Sequence, residues 1–273
     1  MSDRGQTFRV LHHQAGAFII PNPWDIGSAR ILAAFGFKAL ATTSAGMAFS
    51  LGLREGQVPR DAVLRHCRDI ASATDLPVSA DLEKGFGDSP EAVAETIRAA
   101  AATGLAGCSI EDHTGRRAAP IFERSLAVER IAAASDTCRK LSHDFVLTAR
   151  CENLLWGETD LDEVIARLRA YEAAGADVLY APGLSDLQAI REVCSALSKP
   201  VNVLTEMPGM RFNVEELAAA GVKRISVGSA LARLAYGSLV AAAREMAELG
   251  SFQISERAIG FSELERYFAS TDR

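Results

Sequence analysis

Several chemistries are missing from this chain of 273 residues. Its five cysteines, Cys67, Cys108, Cys138, Cys151 and Cys194, are odd in number, scattered, and never spaced as CxxC. That excludes a disulfide framework and a structural zinc site, and it points to a reducing compartment. Only five histidines are present and none clusters with cysteine, so soft-metal chemistry has no ligand set. Neither GxGxxG nor GxxxxGKS/T occurs, which removes the common glycine-rich phosphate cradles. No apolar run is long enough to span a bilayer, so no membrane partner is expected. Positive charge is not in excess either. The 29 Lys and Arg against 35 Asp and Glu leave a net charge of −6, with no general attraction for nucleic acid. The stretch from Met1 to Val10 is polar and mixed in charge, unlike a signal peptide, so a cytoplasmic location is expected.

What is present is apolar content. At 48% hydrophobic and 23% charged, the chain is too apolar for disorder and long enough for one large core. Short, nearly continuous apolar runs read as strands near 17–22, 39–43, 77–82, 107–112, 144–151, 178–183, 200–205 and 224–228. Amphipathic helical patterns separate them near 27–35, 60–73, 90–102, 125–141, 161–174, 186–198 and 214–220, with an eighth near 230–248.

One local signature recurs: AAFGFKALATTS from Ala33, AATGLAGCSIED from Ala101, YEAAGADVLYAP from Tyr171 and AAAGVKRISVGS from Ala218. Each is a helix end, a glycine suited to the left-handed C′ position, a brief turn and a strand. Eight such strand–helix units without a linker predict a (β/α)8 TIM-type barrel over residues 1–250. A doubly wound open sheet fits less well, because it usually carries a glycine-rich phosphate loop at its crevice. Residues 251–273 form a C-terminal extension with an amphipathic helix (Phe261, Leu264, Tyr267, Phe268). It either caps the barrel or serves as an arm exchanged between subunits of a homo-oligomer.

Active sites of such barrels lie at the C-terminal ends of the strands. The acids there dominate: Glu55, Asp81, Glu83 and Glu111 come from three successive strand ends, and alternation places Asp81 and Glu83 on one face. Strand-end acids can serve as helix N-caps, but four together repel one another unless a cation or protons neutralise them. Hard oxygen donors with water suit Mg²⁺ or Mn²⁺. Arg150 closes the fifth strand and can grip a carboxylate or pair with Glu152. The small turn Thr43–Gly46 offers backbone N–H groups, and Asn202 and Thr205 end the seventh strand. His113 reads either as an acid/base at the mouth or as a structural histidine. Arg116 and Arg117 lie over the mouth or in solvent. Cys151 reads as core, and Trp24 and Asp25 as a loop anchor and a helix cap.

These segments resemble the isocitrate lyase/phosphoenolpyruvate mutase superfamily over about 18–236. The carrying stretches are NPWDIGSARIL, TTSAGMAFSLGLREG, VSADLEKGFGDSPEAVAETI, GCSIEDH, TARCENLLWG, AGADVLYAPG and RISVGSALAR. The resemblance implies an α-keto acid or its enolate bound on Mg²⁺ inside a barrel, with a C–C or P–C bond made or broken beside the carbonyl. It implies Asp81 as direct metal ligand, with Glu55, Glu83 and Glu111 holding the metal's waters. It implies Ser44, Ala45 and Gly46 around the substrate carboxylate, and Arg150 as the substrate-binding arginine. It also implies tetramers that exchange the helix after the barrel.

The chain departs from the superfamily pattern at telling places. Glu stands at positions 55 and 83, where the lyases commonly carry Asp. The loop after the fourth strand reads HTGRRAAPIFERS, without the lyases' Cys or the Lys and Asn of phosphonate-directed members. Ala181-Pro182-Gly183 lacks their Glu or His. Loss of CO₂ generates an enolate without a positioned thiol. The expectation is therefore a Mg²⁺- or Mn²⁺-dependent lyase or decarboxylase acting on a small α-keto or 2-hydroxy dicarboxylate, oxaloacetate- or alkylmalate-like, through an enolpyruvate-type intermediate. Catalysis is expected to fall to Arg150, Glu111 and His113, with Asn202 in the substrate site. A phosphonate-directed mutase or hydrolase, or a metabolite-binding barrel without chemistry, is the alternative.

Overall fold

The computed structural model describes residues 3–207 and 209–269. Eight short parallel strands follow one another around a nearly closed barrel: β1 (Phe18–Ile20), β2 (Leu40–Ala41), β3 (Val78–Asp81), β4 (Gly107–Glu111), β5 (Val146–Arg150), β6 (Val178–Tyr180), β7 (Val201–Leu204) and β8 (Arg224–Ser226). Ladders join every neighbouring pair except β1 and β2. Those two meet just beyond β1, where Ala41 N donates to Pro21 O and Asn22 Nδ2 to the Thr42 carbonyl, each at 3.1 Å. The barrel expected from the sequence is present.

Alternation along each strand sorts the side chains. Leu40, Val78, Ala80, Cys108, Ile110, Leu147, Ala149, Leu179, Val203 and Ile225 are buried in the cluster that packs strands against helices. Their neighbours Ser79, Asp81, Ser109, Glu111, Arg150, Tyr180, Asn202, Arg224 and Ser226 line an interior cavity. The covering helices are α2 (Ile26–Ala34), α4 (Arg60–Ser72), α5 (Pro90–Ala101), α6 (Arg124–Arg139), α7 (Leu161–Ala173), α8 (Leu187–Ala196), α9 (Val214–Ala219) and α10 (Ala230–Arg244). The recurrent junction glycine does what its position demands: Gly175 has φ +100°, and an added Cβ there would meet Ser135 Oγ at 2.3 Å. Asp25 caps α2 through a capping box with Ser28, as its position suggested.

Two helices were not legible in the sequence. Helix α1 (Arg4–Leu11) closes the N-terminal end of the barrel, with Phe8 fully buried among Ile20, Ala39, Ala106, Val146 and Val178. Its charges disguise it: Arg9 pairs with Asp144 and Asp177, each at 2.6 Å. Helix α3 (Ser44–Ser50) replaces the expected turn and the start of the loop after it, with Thr43 as N-cap. After α10 come α11 (Ile254–Arg257) and α12 (Phe261–Arg266), where Tyr267 stacks on Phe35 with ring centroids 5.6 Å apart. Residues 270–273 of the expected extension lie outside the described residues. All five cysteines are free thiols, and no helix among the described residues is long and apolar enough to cross a membrane.

Candidate active site

The C-terminal strand ends open into a cavity of about 610 Å³. Arg150 is its electrostatic hub. Nη1 lies 3.1 Å from Asp81 Oδ1, and Nη2 lies 3.3 Å from Glu111 Oε2 and 2.9 Å from Glu152 Oε1. Its Nε also donates to Glu152 Oε1 at 2.9 Å. Burial alone would lower the guanidinium's pKa, but the three carboxylates more than offset that and raise it. Both sequence readings of Arg150 thus meet in one side chain, which faces the cavity and pairs with strand-end acids.

Asp81 ends β3. Its Oδ2 accepts from Ser44 Oγ at 2.9 Å, and the same hydroxyl lies 2.9 Å from Glu55 Oε1. Glu55 reaches in from the loop between α3 and α4. Glu83 arrives differently from the alternation argument. The strand stops at Asp81, and Glu83 takes a left-handed backbone, φ +50°, with Phe86 at +59°. A non-glycine residue in that region is strained. The surroundings hold it there: Glu83 N donates to Asp81 Oδ1 at 3.2 Å, and Glu83 O accepts from Glu111 N at 3.0 Å. The loop behind it is braced by buried Arg130, which donates to the carbonyls of Lys84, Gly87 and Asp88.

Burial, then the charges of Asp81, Glu111 and Glu55, push the Glu83 carboxyl up to about 8. Burial likewise pushes Glu152 up to about 8 against the pull of Arg150. Five carboxylates therefore share one wall of the cavity with Arg150 as their common cation. Lys84 also borders the cavity but is tied to Asp88 at 2.6 Å.

The remaining expected residues fall as follows. Ser44 and Ala45 line the cavity, whereas Gly46 sits behind them: its N–H is taken by Thr43 Oγ1, and a Cβ there would meet Thr43 Cγ2 at 2.6 Å and Trp24 Cβ at 3.0 Å. Close packing against Thr43 and Trp24 leaves no room for a side chain at Gly46. Asn202 faces the cavity, its Nδ2 donating to Ser226 Oγ and its Oδ1 accepting from Arg224 Nε. Thr205 is spent on the Ser226 carbonyl. His113 borders the cavity, with Nδ1 3.7 Å from Glu111 Oε1 and a buried Nε2 that has no hydrogen-bond partner among the described residues. Arg116 turns aside to Asp88 at 2.6 Å and does not line the cavity, nor does Arg117. Cys151 is buried in the wall, as expected.

Two residues were not among the candidates. Trp156, on the short 3₁₀ segment Asn153–Trp156, stacks on His113 with centroids 4.4 Å apart and planes 15° apart. Glu152 appeared only as a partner for Arg150. It is fixed by Asp112, whose Oδ1 accepts from Glu152 N at 2.8 Å while Oδ2 binds Tyr171 and Arg167. The signal for Glu152 was its place two residues beyond Arg150. Trp156 had none, because the 3₁₀ turn that delivers it has no periodicity.

Among the described residues no three His, Cys, Asp or Glu side chains converge closely enough to hold a metal ion directly. The donor set nevertheless fits a hard cation that keeps its waters. Carboxylate oxygens of Glu55, Asp81, Glu83 and Glu111 border one space, and Arg150 pairs with only Asp81 and Glu111 of these four.

The model of the phosphoenolpyruvate phosphomutase family matches residues 8–247. The chain belongs to that family. The 2-methylisocitrate lyase of Escherichia coli is 31% identical over 228 residues, covering 80% of this chain and 76% of that one. A crystal structure from Burkholderia cenocepacia J2315, provisionally described as a lyase/mutase, is 55% identical with a TM-score of 0.96, covering 98% of this chain and 96% of that one. The structure of oxaloacetate acetylhydrolase with its product oxalate is 27% identical with a TM-score of 0.88, covering 99% of this chain and 95% of that one. The family members similar to this chain are thus lyases, mutases and hydrolases.

Proposed function

We propose that this protein is a Mg²⁺- or Mn²⁺-dependent lyase or decarboxylase acting on a small α-keto or 2-hydroxy dicarboxylate of the oxaloacetate or alkylmalate type. The observation that carries the reading is Arg150 bridging Asp81, Glu111 and Glu152 at the strand ends. A guanidinium so placed has planar donors for a substrate carboxylate, and the acids around it have charge to spare for a cation. Asp81 would hold the metal, and Glu55, Glu83 and Glu111 its waters. The bound cation would supply Lewis-acid stabilisation to charge developing on the carbonyl oxygen.

The chain's own residues do the rest. Arg150 orients the carboxylate, Ser44 and Ala45 wall the substrate beside Asp81, and Asn202 presents its amide from below. His113 and Trp156 border one side of the substrate space, and His113 would hand over a proton there. Among the described residues no cysteine lines the cavity. That favours loss of CO₂, which produces an enolpyruvate-type species without a thiol acid. The 113–121 segment also holds neither the Lys nor the Asn of phosphonate chemistry. The same reading includes a homo-oligomer, dimer or tetramer, built on α10 and the residues after it.

A substrate panel tests the proposal: oxaloacetate, alkylmalates, methylisocitrate and phosphonopyruvate, assayed for pyruvate release with and without Mg²⁺. Metal-dependent release from an oxo or hydroxy diacid is expected. Release from phosphonopyruvate alone would instead support the phosphonate reading. Absence of Mg²⁺-dependent oxalate binding would leave a barrel without chemistry.

A further inference from the structure

Below the acidic ring the barrel interior is unusual. The inward positions of such barrels are commonly filled by bulky branched side chains. Here Ala41, Ser79, Ser109 and Ser226 stand there, and the space continues down to Arg224. Arg224 is 5% exposed, and every partner it has is neutral. Nε donates to Asn202 Oδ1 at 2.8 Å, Nη2 to Thr148 Oγ1 at 3.0 Å, and Nη1 faces His12 Nε2 at 3.5 Å. His12 adds no negative charge. Its Nδ1 donates to the Phe8 carbonyl at 2.8 Å, and burial, then the Arg224 charge, keeps the ring neutral. No carboxylate contacts the guanidinium among the described residues, and its pKa falls to about 10.

A guanidinium has five N–H groups, and these contacts engage three. Ser109 pairs in register with Thr148, so its side chain stands beside the one that holds Arg224. The Ser79 and Ser109 hydroxyls make no hydrogen bond to protein among the described residues, and both residues border the cavity. A buried cation without a counter-ion is costly unless something anionic joins it. Arg150 is paired with Asp81, Glu111 and Glu152, whereas no carboxylate is paired with Arg224 among the described residues.

We propose that the well floored by Arg224 is a second anion subsite, taking one carboxylate-sized oxyanion through Arg224 and the Ser79 and Ser109 hydroxyls. It needs neither Asp81 nor a cation, so it stands or falls apart from the proposed function. Two sources share this chemistry: the far carboxylate of a diacid substrate and a free small anion.

The test is formate binding to metal-free protein in chloride-free buffer, followed by calorimetry. Wild type binds in the millimolar range, and Asp81→Asn binds equally well. Arg224→Met weakens binding about tenfold or more. Ser109→Leu, which fills the well and keeps the arginine, does the same and serves if Arg224→Met does not fold. A four-carbon oxo diacid that displaces formate when pyruvate does not identifies the substrate's far carboxylate as occupant; displacement by neither identifies a free anion. Formate binding that survives in both well variants, binding lost only in Arg150→Met, or no binding by wild type overturns the subsite.

Discussion

Ser44 Oγ lies 2.9 Å from Asp81 Oδ2 and equally 2.9 Å from Glu55 Oε1. One hydroxyl has one proton, so it can donate to only one of these carboxylates at a time and meets the other lone pair to lone pair. The contact is therefore frustrated as it stands. A proton on Glu55, whose pKa is raised by burial and then by Asp81, relieves it, and the proposed cation would do the same. With strained Glu83 and buried Glu152, this marks a wall where stability is given up for charge.

The first prediction follows from that relationship. Asp81→Asn removes a repelling charge and gives Ser44 an amide in its place. Its metal-free melting temperature should stay level or rise, while Mg²⁺-dependent turnover falls about 10³-fold, the loss of several kcal/mol of charge stabilisation. Thermal unfolding in EDTA and a Mg²⁺ titration with the active substrate read both. A large drop in the melting temperature would show Asp81 to be a structural anion.

Arg150→Met makes the opposite trade. It leaves Glu152, which is 4% exposed, and Glu111 without their cation. Removing one partner of a buried pair costs about 3–5 kcal/mol, part of which Glu152 recovers by taking up a proton. Adding Glu152→Gln should restore a large part of that stability but none of the activity. Urea unfolding of the two single variants and the double variant gives the coupling. Purely additive effects would mean that the pair acts independently.

Much of this was legible in the sequence, for physical reasons. Parallel strands buried on both faces read as plain apolar runs, and the glycines at 36, 104, 175 and 221 all have the positive φ that their junctions require. Asp81, Glu111 and Arg150 were found because they end strands. What was lost had no periodic signal. Helix α1 hides one buried phenylalanine among paired charges, and α3 looked like a turn because Ser-Ala-Gly is short and small. Glu83 reaches the cavity by a left-handed backbone instead of by strand alternation. Arg224 begins a strand, and nothing local says that its partners are all neutral.

The pH dependence of stability should carry the mark of His12. The ring is buried under the barrel beside Arg224, and burial first, then that charge, pushes its pKa from 6.5 down to about 3. The unfolded chain therefore binds a proton below pH 6.5 that the folded chain refuses. Stability from this group is complete above pH 6.5 and is lost at about 1.4 kcal/mol per unit as pH falls toward 3. Between pH 6.5 and 4.5 wild type should lose about 2–3 kcal/mol more than His12→Phe, measured by denaturant unfolding. Equal losses in both proteins would place the acid sensitivity elsewhere.

The final prediction concerns association. Helix α10 has 15 residues and buries only Ala232, while Leu234 and Leu239 on it, and Leu249, Phe252 and Phe261 after it, stand well exposed. Large apolar side chains left exposed in this number on one segment commonly mark an interface, and a stable one covers about 1,200–2,000 Å² in total. The α12 end lies back toward α2, where Tyr267 meets Phe35, leaving the outer side of Phe261 free for a second copy. Wild type should therefore elute as a dimer or tetramer at micromolar concentration in light-scattering chromatography. Leu239→Glu with Phe261→Glu should shift it toward the monomer by placing two charges in the contact, with the barrel's circular dichroism unchanged. A monomeric wild type would mean that these side chains are merely tolerated in water and that each barrel works alone.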